Sequence, residues 1–353
     1  MKRNNIIDFL RFTAILLVVL SHCQLNNTPE YIKRLLSPGY LGVELFFVLS
    51  GFLVSGLILN EYKQHASFNA KLFLIRRGFK IYPPYYIFLI GASIYQLFKN
   101  RFSLQGFFSD FFFLSNYTEY SSRTWFWSLS LEEHFYLFLC LVFFLLAYLN
   151  KVNFRSIFAI YIALLLISIV CRIYYYNYFA ESWKRDYQMT HSRLDSLFFG
   201  VVIYFCYLNK NKFYLFIMRN EKMLLILSTT FILSNYIFLR DYRLLNMFYL
   251  SANSVAFGMI ITIVLNKVSL NDNFFIKKFA VIGRYSYSIY LIHPALGVIS
   301  PRLHIVIKND FLYALAYITL CFLSGTILSK IIEMPFLKLL DRLFSSRSKV
   351  AIS

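Results

Sequence analysis

Ile6-Ile7-Asp8-Phe9-Leu10-Arg11-Phe12-Thr13-Ala14-Ile15-Leu16-Leu17-Val18-Val19-Leu20-Ser21-His22-Cys23 is the stretch on which the reading of this chain turns. It is apolar enough for a membrane helix, yet it carries an arginine, an aspartate and a histidine. A charge near the middle of such a helix costs roughly 2.5–3.5 kcal/mol on insertion scales, so ionisable residues there usually have a function. Eleven helical steps of about 100° bring Arg11 and His22 to nearly the same face, about 16 Å apart along the axis. One face thus carries a fixed cation in the helix and a titratable imidazole towards its end. Asp8, one turn before Arg11, is the nearest sequence partner for the guanidinium. Met1-Lys2-Arg3 before an apolar run imitates a signal peptide. With His22 where a small residue would be needed and Asp8 and Arg11 inside the core, the stretch reads as an uncleaved first span.

Composition extends that reading to the whole chain. Of 353 residues 59% are hydrophobic, 20% aromatic and only 15% charged. A soluble domain of this length could not bury so much apolar surface, which leaves an all-α, polytopic membrane bundle. About ten apolar runs follow one another, at 6–23, 41–60, 83–98, 134–149, 156–175, 196–208, 223–239, 247–265, 285–300 and 311–333. The patch Phe107 to Leu114 is too short to span and contains Asp110. Lys and Arg are concentrated in alternate connections, which puts both termini in the cytoplasm, Arg11 in the cytoplasmic half and His22 towards the outside. The formal charge of +19 then reflects loops facing anionic lipid rather than nucleic acid. The five cysteines lack the spacing of a disulfide framework or a zinc site, and no metal is expected. A single domain, 1–353 with its core at 6–336, without a soluble extracytoplasmic part, is the expected organisation.

Further polar residues stand where lipid would not tolerate them. Arg76, Arg77 and Lys80 form the densest basic cluster, just before the third run, either as positive-inside anchors or as a phosphate site. Glu44 opens the second run near the outer side, where it could set the tautomer of His22. Gly51 and Ser55 mark close helix packing. Trp127-Ser128-Leu129-Ser130-Leu131-Glu132-Glu133-His134-Phe135-Tyr136 combines hydroxyl, carboxylate and aromatic groups suited to a sugar-binding surface, although Ser130 to Glu133 also has capping-box spacing. Arg193 and Asp195 could close an ion pair at a helix end. His293 is as compatible with a hydrogen-bonded core histidine as with a functional one. Glu333 reads as structural.

Taken together these motifs resemble the acyltransferase-3 family of bacterial membrane acyltransferases. They are Arg11-x10-His22, Gly42 to Phe52, Trp127 to Tyr136, Arg193 to Gly200 and Ser286 to Pro294. The family's Arg-x-x-Arg motif reads Arg77-Gly78-Phe79-Lys80, where Lys keeps the charge but not the bidentate geometry. The resemblance implies transfer of an acyl group, most often acetyl from acetyl-CoA, to a hydroxyl of a surface or exported carbohydrate that could be lipid-linked, in the bacterial cytoplasmic (inner) membrane. His22 is then the expected base or acyl relay, oriented by Glu44 or Glu133. Arg11, Arg77 and Lys80 would hold the donor. Trp127, Ser128, Glu132, Arg193, Asp195 and His293 would face substrate. A transporter or exporter of a glycan is the alternative that membrane physics alone leaves open.

Overall fold

The fold is helical throughout, as a computed structural model describes it for residues 4–121, 123, 125–179, 187–239, 243–297 and 300–344. The helices are α1 (Asn5–Ser21), α2 (Glu30–Leu35), α3 (Gly39–His65), α4 (Ala70–Phe98), α5 (Leu104–Phe111), α6 (Phe126–Tyr148) and α7 (Phe154–Tyr178). A 3-10 turn, Thr190–Ser192, leads into α8 (Leu194–Asn209), α9 (Lys212–Arg219), α10 (Glu221–Ser234) and α11 (Arg243–Leu265). Then come α12 (Val268–Asp272), α13 (Phe274–Gly283), α14 (Ser286–Leu296), α15 (Ser300–Val306), α16 (Asp310–Leu328) and α17 (Met334–Leu343). Among the described residues, five helical segments are long and apolar enough to cross a membrane. Asparagine starts many of these helices. The side chains of Asn4, Asn69, Asn153, Asn211, Asn273 and Asn309 each accept a backbone N–H of the first turn, satisfying donors that would otherwise be left free.

Several expected segments take a different form. The first ends at Ser21, so His22 is the C-cap of α1 rather than a residue within it. The run at 83–98 belongs to a helix that starts at Ala70, so Arg76, Arg77 and Lys80 lie in α4 and not in a connecting loop. The charges hid this start because a hydropathy window stops at them, while the Asn69 cap and the backbone do not. Within the run at 285–300, α14 ends at Leu296 and α15 begins at Ser300. Phe107 to Leu114 falls on and just after the short α5. Of the basic residues behind the orientation, Lys2, Arg3, Lys184, Arg185, Arg240, Arg347 and Lys349 lie outside the described residues.

α1 runs through the middle of the bundle, packed chiefly on α3 and α13, with α14 and α16 beyond. α3 in turn lies along α8. The α3–α8 crossing is set by two glycines. A Cβ on Gly51 would stand 1.8 Å from the carbonyl oxygen of Leu197, and one on Gly200 would stand 2.2 Å from that of Val48. Backbone meets backbone there, so neither side can yield by turning a rotamer.

Gly51→Ala should therefore separate α3 from α8 and destabilise the bundle by at least the ~1–3 kcal/mol typical of overpacking. Gly91 in α4 has nothing within 4 Å of its Cβ position, so Gly91→Ala should be neutral or stabilising by up to ~1 kcal/mol. Thermal unfolding of the detergent-solubilised variants measures both, and equal melting temperatures would contradict the packing described.

Candidate active site

Arg11 of α1 is 7% exposed, and its guanidinium lies 3.8 Å from Asp8. Arg77, one turn before Lys80 in α4, faces the same interior. The three cations line a partly open cavity between α1, α3, α4, α6 and α14. Pro83 and Pro84 follow immediately in α4. Lacking N–H groups, they leave the carbonyls of Phe79 and Lys80 without their usual helical donors and loosen the helix beside Lys80.

Opposite the cations stands Glu132, the single carboxylate in the cavity lining. It accepts from the Tyr136 hydroxyl at 2.9 Å, and the Tyr136 hydroxyl also bonds Ser50 Oγ at 2.6 Å. The Arg77 guanidinium lies over the Tyr136 ring, 5.0 Å from its centroid, and its buried Nε has no hydrogen-bond partner. Asp8 lies behind Arg11, and Glu133 and Glu333 act on Arg77 and Lys80 from beyond the lining. Positive charge therefore prevails only at the cavity surface itself, with three cations to one carboxylate among the described lining residues. An anionic ligand would offset that charge and satisfy the free guanidinium nitrogen.

The other end of the cavity leads to the histidines. Tyr290 of α14 lines it and bonds Ser128 Oγ at 2.5 Å. The Tyr290 ring lies 5.4 Å from that of His293, which in turn meets the His22 ring edge-on at 4.7 Å. His293 is fully buried and His22 is exposed. His22 does not itself line the cavity, but only two rings separate it from the cavity interior. Ser128 and Glu132, expected on an outer sugar-binding surface, are instead in this interior. Ser130 lies inside α6 and bonds Ser115 Oγ at 2.7 Å, so it is not a helix cap.

The carboxylates expected beside His22 are engaged elsewhere. Glu44 is fully buried, with one oxygen on Arg193 and the other accepting from Ser254 at 3.1 Å. Glu133 accepts from the Tyr82 hydroxyl. His22 instead meets the Val18 carbonyl, 2.9 Å from Nδ1, Ser21 Oγ at 3.5 Å and the His293 ring. A backbone carbonyl thus takes the place expected for an acid. Arg193 and Asp195 do not pair with each other either. Asp195 pairs with Arg172 at 2.9 Å and accepts from Ser251, while Arg193 stacks over Phe47 and Tyr187. Trp127 packs edge-on against Phe47 and near Tyr187. This network ties α3, α7, α8 and α11 together next to the cavity wall at Phe47.

Arg172 lies within the apolar run at 156–175. Its 0% exposure and its bonds to the carbonyls of Ser192 and Met247, to Ser251 and to Asp195, each 2.8–2.9 Å long, make it a central polar tie. Intramembrane position was the available signal. Ser50, Tyr136 and Tyr290 were also passed over as site residues, although each lies within a motif read for its neighbours.

Comparison with known proteins settles the family. The profile of the acyltransferase domain matches residues 4–330, nearly the whole chain. The chain belongs to the acyltransferase-3 family. It is 28% identical to the peptidoglycan O-acetyltransferase OatA of Listeria monocytogenes, over 94% of this chain and 55% of that protein. With the O-acetyltransferase OatA of Staphylococcus aureus the identity is 26%, over 94% of this chain and 57% of the relative. The chain spans a little over half the length of these curated relatives. No solved structure matches it.

The Arg172–Asp195 pair gives a direct test of the buried network. Asp195→Asn or Arg172→Met alone leaves an uncompensated buried charge and should cost about 3–5 kcal/mol, whereas the double replacement should recover part of that loss. Unfolding temperatures of the three proteins, taken as a double-mutant cycle, measure the coupling; strict additivity would contradict it.

Proposed function

We propose that this protein is an O-acetyltransferase that takes acetyl from acetyl-CoA and passes it to a carbohydrate hydroxyl at the outer face of the bacterial cytoplasmic membrane. The acceptor could be lipid-linked. The chain would cross the bilayer about ten times with both termini inside. The observation that carries this reading is the cavity lined by Arg11, Arg77 and Lys80, which adjoins Tyr290, His293 and, beyond them, His22. Phosphates of a nucleotide-bearing donor suit the cations. The thioester is already activated, so the protein has chiefly to position it and to manage one proton.

In this scheme the three cations hold the donor, with Tyr136 and Glu132 keeping Arg77 in place between turnovers. His22 acts as base or acyl relay at the exposed end of the path. Ser128 and Trp127 lie where the acceptor would approach the Tyr290 end. Arg193, Asp195 and Glu44 fix the helices that form that wall. The names of the two relatives point to an O-acetyl product, and peptidoglycan is the acceptor named for the Listeria protein.

Purified protein should consume acetyl-CoA and leave an alkali-labile acetyl ester on a glycan acceptor. His22→Ala should lower that rate by about 10²–10⁴-fold, the usual contribution of a base, in a protein that still folds. Solute movement across vesicles without acetyl-CoA consumption would instead favour a transporter.

Arg77→Ala should raise the KM for acetyl-CoA more than Arg77→Lys, because lysine keeps the charge and loses only the planar fork. Steady-state kinetics across donor concentrations decide it. Wild-type KM in both variants would make the α4 cations structural.

A further inference from the structure

If His22 carries the acetyl group, it cannot take the acceptor's proton in the same step. Both tasks use the Nε2 lone pair, and an acylated nitrogen has none to offer. The structure places a second imidazole beside it. The His22 and His293 rings meet edge-on with centroids 4.7 Å apart. Each is held in the same tautomer by a backbone carbonyl. His22 Nδ1 lies 2.9 Å from the Val18 carbonyl oxygen and His293 Nδ1 lies 2.7 Å from that of Tyr290. A carbonyl only accepts, so both Nδ1 atoms carry hydrogen, and in the neutral rings both Nε2 atoms keep a free lone pair.

The environments of the two rings divide the work. His22 is exposed at the end of α1, while His293 is 0% exposed. Its Nε2 is buried without any hydrogen-bond partner. A buried acceptor left unsatisfied costs about 1–3 kcal/mol, so its retention beside a reactive histidine points to a donor that arrives with substrate. The Tyr317 hydroxyl donates at 2.9 Å to the His293 carbonyl oxygen and fixes the backbone that carries the ring.

We propose that His293 Nε2 is the base of the second half-reaction and His22 Nε2 the nucleophile of the first. The assignment rests on the acetyl-transfer reading above. In the first half, the His22 Nε2 lone pair attacks the thioester carbonyl carbon. The C–S bond breaks with its electron pair going to sulfur, and CoA thiolate leaves an acetyl-imidazolium on His22. In the second, the acceptor hydroxyl oxygen attacks the acetyl carbon and gives its proton to His293 Nε2. The C–N bond breaks with its pair returning to His22 Nε2. The proton on His293 then passes to water or to the departed thiolate, and both imidazoles are restored. Neither oxidant nor additional reactant is needed.

The two halves separate in a rapid-quench experiment on detergent-solubilised, full-length protein with labelled acetyl-CoA and a glycan acceptor. Wild type should release CoA in a burst of about one per protein and form acetyl ester. His22→Ala should show neither burst nor ester. His293→Gln should keep the burst, with acetyl recovered on His22 by mass spectrometry, while ester formation falls about 10²–10⁴-fold. His293→Asn, smaller than imidazole, is read in the same way if Gln is not accommodated. Wild-type ester formation in the His293 variants would overturn the proposal, and so would loss of the burst in a variant that remains monodisperse. Ester formed by wild type with no acetyl-His22 at any quench time would also overturn it while leaving acetyl transfer intact. Failure of the wild type to consume acetyl-CoA would instead defeat the underlying reading, and the base assignment with it.

Discussion

Cations buried within a helical bundle must be met by something, and that constraint organises this molecule. Arg11, Arg77 and Lys80 converge from α1 and α4 on one cavity in which Glu132 is, among the described residues, the only lining carboxylate. Burial of like charges is tolerated when anions, dipoles or polar ligands complete the site, and is otherwise among the costliest arrangements a membrane protein can adopt. Asp8 answers Arg11 in part, and the Tyr136 face answers Arg77 in part. Glu133 and Glu333 act on Arg77 and Lys80 from outside the lining, so the cavity surface itself presents chiefly cations.

The surrounding helices keep that interior open and rigid by two means. At the α3–α8 crossing, Gly51 and Gly200 let backbones touch. Around it the pairs Glu44–Arg193 and Arg172–Asp195, both fully buried, hold α3, α7, α8 and α11 in register. Glu333 acts similarly near the other wall, accepting from Ser288 at 2.7 Å and Ser329 at 2.8 Å. A further tie is Arg123, which is buried against Asp110 at 2.6 Å, with Ser93 and Gln96, between α5 and α6.

Much of this was legible in the sequence. Apolar runs located most of the long helices, because burial and lipid exposure alike demand them, and Arg11, inside the first run, lines the cavity. The eleven-residue spacing placed Arg11 and His22 towards one face of the first helix; Arg11 lines the cavity, while His22 lies beyond it, behind the rings of His293 and Tyr290. What spacing could not show was how side chains from separate helices choose partners. Glu44 and His22 lie at the same expected depth, yet Glu44 pairs with Arg193 across to the α8 entrance. Hydropathy placed Arg77 and Lys80 in a loop because charges depress it, although the helix continues through them. His293 looked equally like a core histidine, since its meaning comes from a ring contact with a residue 271 positions away in sequence.

The central claim is that the cations of α1 and α4 hold the donor inside the bundle, with its reactive end directed to the histidine pair. A cryo-electron microscopy structure of the protein with bound coenzyme A tests it most directly. The account predicts phosphate density in contact with Arg11, Arg77 or Lys80 and the thiol end of the ligand beside Tyr290. Coenzyme A bound on an outer surface of the bundle, with the cavity between α1 and α4 free of it, would contradict the account.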